Sequence, residues 1–377
     1  MIINHFKSEL NNLKIKIDNE LNNFFSETIT SETITNKDIT NKNITNNKLN
    51  FNKPFLEAIK EFTLRGGKRI RPILVIKGFE AFEKNEISES MMHELIKTSI
   101  CIELMQSSFL IHDDIMDEAD TRRNKPTLHK LFEQQELSEQ QNNDKKLSES
   151  LAILAGNIAM VLGQNIILNS NFNDEIKQKA IIKFNEIVEM TNHGQLLDLI
   201  ISEKNISGVS EEEINQVMLL KTAKYTIEGP LHLGAILAGA NKEQLHQLSA
   251  IALPLGIAFQ IQDDILGIFA DEKTLGKSIF SDIQENKKTL LMWYAYNKGN
   301  PEQKRFIKSI LGKRDITSNE FEELKRIIID IGSLEYSKNM AQSLVNDAKN
   351  NINNSSINQE AKDFLLHFAE YLIKREK

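Results

Sequence analysis

Two helix-periodic apolar stretches in this chain each run into adjacent aspartates, and that repetition restricts its fold more than any other feature. In the first, uncharged but for Glu103 well upstream, Leu104–Ile111 leads into Asp113, Asp114, Asp117 and Asp120, with Arg122 and Arg123 directly after. In the second, FQIQDDILGIFAD at 259–271, the apolar run ends in Asp263 and Asp264, with Gln260 one turn back on the same side. Helical positions i and i+4 share a face, so Asp113 and Asp117 point the same way, with Asp114 beside them. Carboxylates crowded at the end of an apolar helix repel one another, and hard divalent cations offset that cost. Mg²⁺ takes a few carboxylates together with waters and substrate phosphates, and Arg122 and Arg123 offer planar forks for phosphate oxygens. The ordinary alternative for one such end is a solvated acidic terminus. Two of them point to carboxylates facing each other across a helical core.

The rest of the chain reads as helix. Residues Ile2–Phe25 form an amphipathic pattern on Phe6, Leu10, Leu13, Ile17, Leu21 and Phe24. Ser26–Asn50 repeats SETIT, is rich in Asn and Thr, and has no helical period, so it reads as a flexible insert. Helices follow at Phe51–Leu64, Ile70–Phe82, Glu89–His112, Leu151–Asn169 (a buried one), Asp174–Ile201, Glu211–Gly239 with a kink at Pro230, and Lys242–Gly267, with five more to the C-terminus. Phe132–Ser148 is polar and reads as an exposed loop. No alternating strand pattern occurs, so the class is all-α: a large single-domain helical bundle over 51–377, preceded by the helix 1–25 and the insert 26–50.

Charge narrows the partners. With 46 basic against 53 acidic residues the net charge is −7, which disfavours a nucleic-acid surface. The start MIINHFKSEL lacks the order of a signal peptide, and polar residues break the longest uncharged run, Leu151–Phe172. No transmembrane segment is expected. The single cysteine, Cys101, suits a reducing compartment, and the cytoplasm is the expected location.

Several smaller motifs are ambiguous alone. Gly66-Gly67-Lys68-Arg69-Ile70-Arg71 places mobile backbone and three cations at a helix start, which suits an anion; a solvated basic helix start has the same composition. Lys221-Thr222-Ala223-Lys224 lies inside a helical pattern, where a surface lysine is ordinary. Gln195 and Asp198 share one face and read as a buried polar pair. Met105 and Phe109 lie two turns and one turn above Asp113, and singly read as core.

Together, in this order, these motifs resemble the trans-isoprenyl diphosphate synthases, the farnesyl and geranylgeranyl synthase family. DDIMD at Asp113–Asp117 with Arg122-Arg123, GGKRIRP at Gly66–Pro72, GQLLD at Gly194–Asp198, KTAKY at Lys221–Tyr225 and FQIQDD at Phe259–Asp264 carry the resemblance, which covers Phe51 to the C-terminus. It implies an isoprenoid synthase bundle with a central cavity, a homodimer, and three Mg²⁺ ions held by Asp113, Asp117 and Asp263, with Asp114 and Asp264 assisting. It implies that Arg122, Lys221 and Lys277 hold an allylic diphosphate (dimethylallyl, geranyl or farnesyl), that Lys68, Arg71, Gln106 and Arg123 hold isopentenyl diphosphate, and that Lys287 also binds substrate. Carbonyls near Lys221 and Thr222, and the Gln260 side chain, would face the allylic cation. Met105, Ser108 and Phe109 would set product length. Only one of the two positions just before the first motif is large, so a C15 to C20 product is expected, C20 favoured.

Departures from the family pattern are local. Gly267 stands where a third Asp is common, with Asp271 a candidate substitute. Gln106 stands where many members have His, Asn124 interrupts RRGKP, and Asn157 replaces a frequent Asp. The rival readings are a longer-chain synthase, a class I terpene cyclase, which needs no isopentenyl site, and a silent subunit, which should have lost an acidic motif.

Overall fold

The computed structural model describes residues 2–39, 52–134, 145–270 and 278–374. As expected, the class is all-α: helices fill the chain, and among the described residues the only strands are two residues long each. The helices gather into two compact units, Met1–Ile76 with Asn85–Ile181, and Lys77–Lys84 with Ile182–Lys377. Each acidic stretch lies in its own unit.

In the first unit, α1 (Ile2–Ile39) packs on α2 (Asn52–Leu64) and α4 (Glu89–Ser99). It buries Phe6, Leu13, Ile17, Leu21 and Phe25. The inward aromatic is Phe25 rather than Phe24. The helix also does not stop at Phe25. The hydroxyls of Ser26, Thr28 and Thr30 donate to the carbonyls of Asn22, Phe24 and Ser26 one turn back, so polar residues that read as loop are accommodated in helix. The remainder of the expected insert, 40–50, lies outside the described residues, as does most of the expected loop, 135–144. α3 (Ile70–Glu80) starts after Lys68 and Arg69, the two residues that follow the Gly-Gly pair.

The helix expected over Glu89–His112 is two: α4 ends at Ile100, and α5 runs Cys101–Met116. Thr98 and Ser99 mark the break, donating to the carbonyls of Glu94 and Ile96 and so competing with the helical ladder. α5 packs on α7 (Lys145–Leu168) and is buried all round from Cys101 to Ser108. α6 (Leu128–Gln134) also packs on α7. α7 is buried along a stripe of mostly small residues, Ala152, Ala155, Gly156, Ala159 and Gly163, and at Ile166 and Ile167, while Leu154 is 55% and Val161 52% exposed. The fully buried helix expected there is half-buried. Its apolar residues occupy two faces, and α5 covers one.

In the second unit, α8 (Asp174–Glu203, beginning in the first unit) and α9 (Glu211–Val217) precede an eleven-residue π-helical segment, Met218–Glu228, which leads into α10 (Gly229–Leu237). The irregularity lies upstream of Pro230, not at it; Pro230 opens the first turn of α10, where it costs no hydrogen bond. α11 (Lys242–Phe269) packs on the π segment and on the long helix Ser333–Asn354. α7 and α11 are long and apolar enough to cross a membrane by composition, but half of α11 is buried within the protein, as in the core of a globular bundle.

Candidate active site

In the first unit, Asp113 and Asp114 sit on the last turn of α5, and Asp117 caps it. This is the negative end of the helix dipole, which adds to the mutual repulsion of the carboxylates. A two-residue hairpin joining β1 (Thr121–Arg122) and β2 (Lys125–Pro126) supplies the counter-charge. Its tip, Arg123 and Asn124, has φ of 55° and 60°, the left-handed pair that a tight primed turn requires. Asn tolerates that conformation, which accounts for Asn124 where glycine is common. The turn brings the Arg122 Nε to Asp114 Oδ1 at 2.5 Å and its Nη2 to Asp113 Oδ2 at 3.5 Å. Asp114 is fully buried, and that burial pushes its pKa up to about 7; Arg122 opposes the rise, and the neighbouring Asp113 and Asp117 add to it. Its Oδ2 is buried without a hydrogen-bond partner. A crowded carboxylate trio with an orphaned oxygen suits a divalent cation. Among the described residues no group of three acidic, His or Cys side chains is placed to hold a metal ion by itself, and Mg²⁺ ordinarily takes only a few carboxylates together with waters and phosphates.

The same unit holds the cationic loop. Gly66 and Gly67 have φ of 98° and 115°, and they turn the chain between α2 and α3. Lys68 is exposed and Arg71 half-buried. The Arg123 Nη1 donates to the Gly66 carbonyl at 2.6 Å, tying the hairpin tip to this loop. Gln106 is buried on α5, and its Oε1 has no partner. Met105 and Ser108 are buried, and Phe109 is half-buried one turn before Asp113.

In the second unit, Asp263 and Asp264 sit near the end of α11. Gln260 Nε2 donates to Asp264 Oδ1 at 2.7 Å, and the Thr222 hydroxyl donates to Gln260 Oε1 at 2.6 Å. Burial drives the Asp264 pKa well up; Gln260 opposes this, and the carboxylates of Asp282, Asp263 and Asp198 add to it. Asp198 accepts from Lys221 at 2.7 Å and Lys287 at 3.0 Å, and these cations hold its pKa below the usual range despite burial. Lys221 and Thr222 lie on the π segment, where each turn is wider than an α-turn. Two glycines press against that segment. A Cβ on Gly194 of α8 would lie 2.4 Å from the Lys221 nitrogen, and one on Gly256 of α11 would lie 2.4 Å from Ala223 Cα.

Reading the sequence alone undervalued three residues. Asp198 reads as half of a buried polar pair, yet it gathers the two lysines. Asp282, which no sequence motif marks, has its carboxylate in the space beside Gly267: a Cβ there would meet Asp282 Oδ2 at 2.4 Å. Another element thus brings a carboxylate beside position 267, and Gly267 leaves room for it. Its only sequence signal is its place five residues before Lys287. Arg69 reads like its neighbours Lys68 and Arg71 but is buried. Lys277 and Asp271 lie outside the described residues.

An all-α fold carrying acidic clusters, clustered arginines and paired lysines defines a diphosphate-handling enzyme of the isoprenoid synthase type. The chain belongs to the polyprenyl synthetase family, whose sequence model matches residues 52–328. It is 31% identical over 335 residues to a geranylgeranyl diphosphate synthase of Saccharolobus solfataricus, covering 87% of this chain and 93% of that one. It is 30% identical over 271 residues to a farnesyl pyrophosphate synthase of Cannabis sativa, covering 71% and 74%. Its fold matches a geranylgeranyl pyrophosphate synthase of Corynebacterium glutamicum, solved with isoprenyl diphosphate and magnesium, at a TM-score of 0.86 and 28% identity over 97% of this chain and 99% of that one. The chain is accordingly a prenyltransferase.

Proposed function

We propose that the chain condenses isopentenyl diphosphate with dimethylallyl, geranyl or farnesyl diphosphate, to give a C15 to C20 product with C20 favoured. The observation that supports this reading is a second cluster of cations in the first unit. Lys68 and Arg71, with Arg123 held to Gly66, form a cationic surface separate from the Arg122 that serves the carboxylates. A cyclase, with one diphosphate to bind, has no use for it.

Asp113, Asp117 and Asp263 would hold three Mg²⁺, with Asp114, Asp264 and Asp282 supporting them. When bound, Mg²⁺ neutralises the diphosphate and so makes it a leaving group. Arg122 and Lys221, with Lys277 and Lys287, hold the allylic diphosphate, while Lys68, Arg71, Gln106 and Arg123 hold the isopentenyl one. As the allylic C–O bond breaks, the carbonyls around Lys221 and Thr222 and the amide oxygen of Gln260 present negative dipoles to the cationic fragment. The isopentenyl double bond forms the new C–C bond, and the adjacent proton passes to the departed diphosphate. Met105, Ser108 and Phe109 on α5 set how far the prenyl tail extends.

The exposed face of α7 carries Leu154, Ile158, Val161 and Leu168 at helical spacing, and we assign it to a second copy of the chain, giving a homodimer. The buried, unpaired Cys101 suits the cytoplasm. The polar segment 40–50 is dispensable by composition, and 51–377 is the catalytic part. The test is direct. The purified protein with Mg²⁺, isopentenyl diphosphate and each allylic starter should release C15 or C20 diphosphate. No condensation with any starter would overturn the reading, and products of C30 or longer would overturn the length assignment. Light scattering should give twice the chain mass.

A further inference from the structure

Within RGGKRIR, the middle cation is turned inward. Arg69 is 4% exposed, and its guanidinium is fully committed: Nε donates to Asp18 Oδ1 at 2.7 Å, Nη1 to Glu103 Oε2 at 2.5 Å and Nη2 to the Thr63 carbonyl at 3.0 Å. Asp18 comes from α1, 51 residues away, and Glu103 from the first turn of α5. Arg69 itself has φ of 53°, left-handed backbone that a non-glycine residue holds only when its surroundings over-determine it. A three-way buried fork does that. The same loop then presents Lys68 outward and takes Arg123 on the Gly66 carbonyl. Burial weakens the charge on Arg123, the fields of Arg69, Arg122 and Arg71 add to this, and Glu103 opposes it.

We infer that Arg69 is a positioning residue, clamped by Asp18 and Glu103, that holds the 66–69 turn in the shape needed to bind isopentenyl diphosphate, so that α1 is part of that site's machinery. Its charge is already neutralised, so it does not itself hold phosphate; its planar fork could not be replaced by a lysine point charge. The inference rests on the assignment of this loop to isopentenyl diphosphate.

Asp18 is the residue to change, because it is partly exposed and its loss leaves Glu103 in place. Asp18→Asn should raise the KM for isopentenyl diphosphate about tenfold, with kcat and the allylic KM within about twofold. Asp18→Glu should restore most of the loss. Arg69→Lys should act like Asp18→Asn. Two readouts do not need turnover: the amides of 66–69 should exchange faster in Asp18→Asn, and the protein's affinity for inorganic diphosphate in EDTA should fall. An unchanged isopentenyl KM, or equal rises for both substrates, would overturn the inference. If the unmodified protein makes no prenyl product, the proposed activity falls instead. The exchange and diphosphate measurements then decide the clamp: unchanged values in Asp18→Asn remove it, and changed values support it.

Discussion

The two acidic sites solve the same electrostatic problem differently. At the end of α5, Asp114 lies under a fixed guanidinium, and Arg122 also reaches Asp113. At the end of α11, Asp264 has a neutral amide from Gln260 for company, and Lys221 and Lys287 reach Asp198. The first site carries its own cation, built into a hairpin. The second sets no lysine or arginine against Asp264 among the described residues, and Lys221 and Lys287 lie on a separate carboxylate, Asp198. A site with a built-in arginine is pre-neutralised and geometrically rigid, because a planar fork has few ways to lie on two carboxylates. Among the described residues, the Gln260 amide orients Asp264 without supplying charge.

The largest expected effect tests whether both sites are needed. Asp113→Ala and Asp263→Ala should each reduce kcat by about a thousandfold or more, since each removes charge stabilisation used in the transition state. A near-normal rate for either would break the parity of the two sites, as would full activity in excess EDTA. Next, Asp198→Asn should lower kcat about a hundredfold by releasing Lys221 and Lys287 together. Arg71→Ala, on the other unit, should mainly raise the isopentenyl KM about tenfold. If Asp198→Asn acted only on KM, the division of labour around Asp198 would be wrong.

A smaller contrast concerns pH. In the second unit, His232 faces Glu228, Lys224, Lys183 and the Ser249 hydroxyl, and burial takes its pKa down to about 4 although Glu228 opposes the fall. An imidazole kept neutral in the fold but protonated when unfolded lets the unfolded state bind the extra proton. Stability should therefore fall as pH drops from about 6.5 towards 4, by on the order of 2 kcal/mol from this residue. Denaturant midpoints across that range should show a clearly shallower slope in His232→Gln, and an identical slope would refute the assignment. The smallest effect lies along α5 above the first site. Phe109→Ala should lengthen the product by one or two isoprene units, with Met105→Ala adding to it and the rate changing only a few-fold. Phe109 is one turn from Asp113, roughly 6 Å along the helix. Unchanged product lengths in the double variant would show that this helix does not set the stop.

Much of this was legible in the chain itself. The helical class, the helices that end in acids, the basic loop and the order of motifs all follow from local periodicity and charge, which the backbone reads within a few turns. Four things did not. The break at Ile100 depends on which way the hydroxyls of Thr98 and Ser99 turn. The continuation of α1 past Phe25 depends on hydroxyls that can serve either a loop or a helix. The π segment is matched by close approach of Gly194 and Gly256 from two other helices, while the visible helix breaker, Pro230, merely opens the next turn. Arg69 carries the same charge as its neighbours Lys68 and Arg71, Asp198 and Asp282 are flanked by uncharged residues, and the surroundings of all three come from other parts of the chain.

The sequence by itself determined the class of the protein and the chemistry it carries, because periodicity and the clustering of like charges are properties of contiguous residues. Only the tertiary structure decided which cation answers which carboxylate: Arg122 for Asp114, Lys221 and Lys287 for Asp198, Arg69 for Asp18 and Glu103. Burial makes those choices. A charge removed from water must find a partner within hydrogen-bond reach, and the packed fold, not the spacing of letters, sets which partner is near.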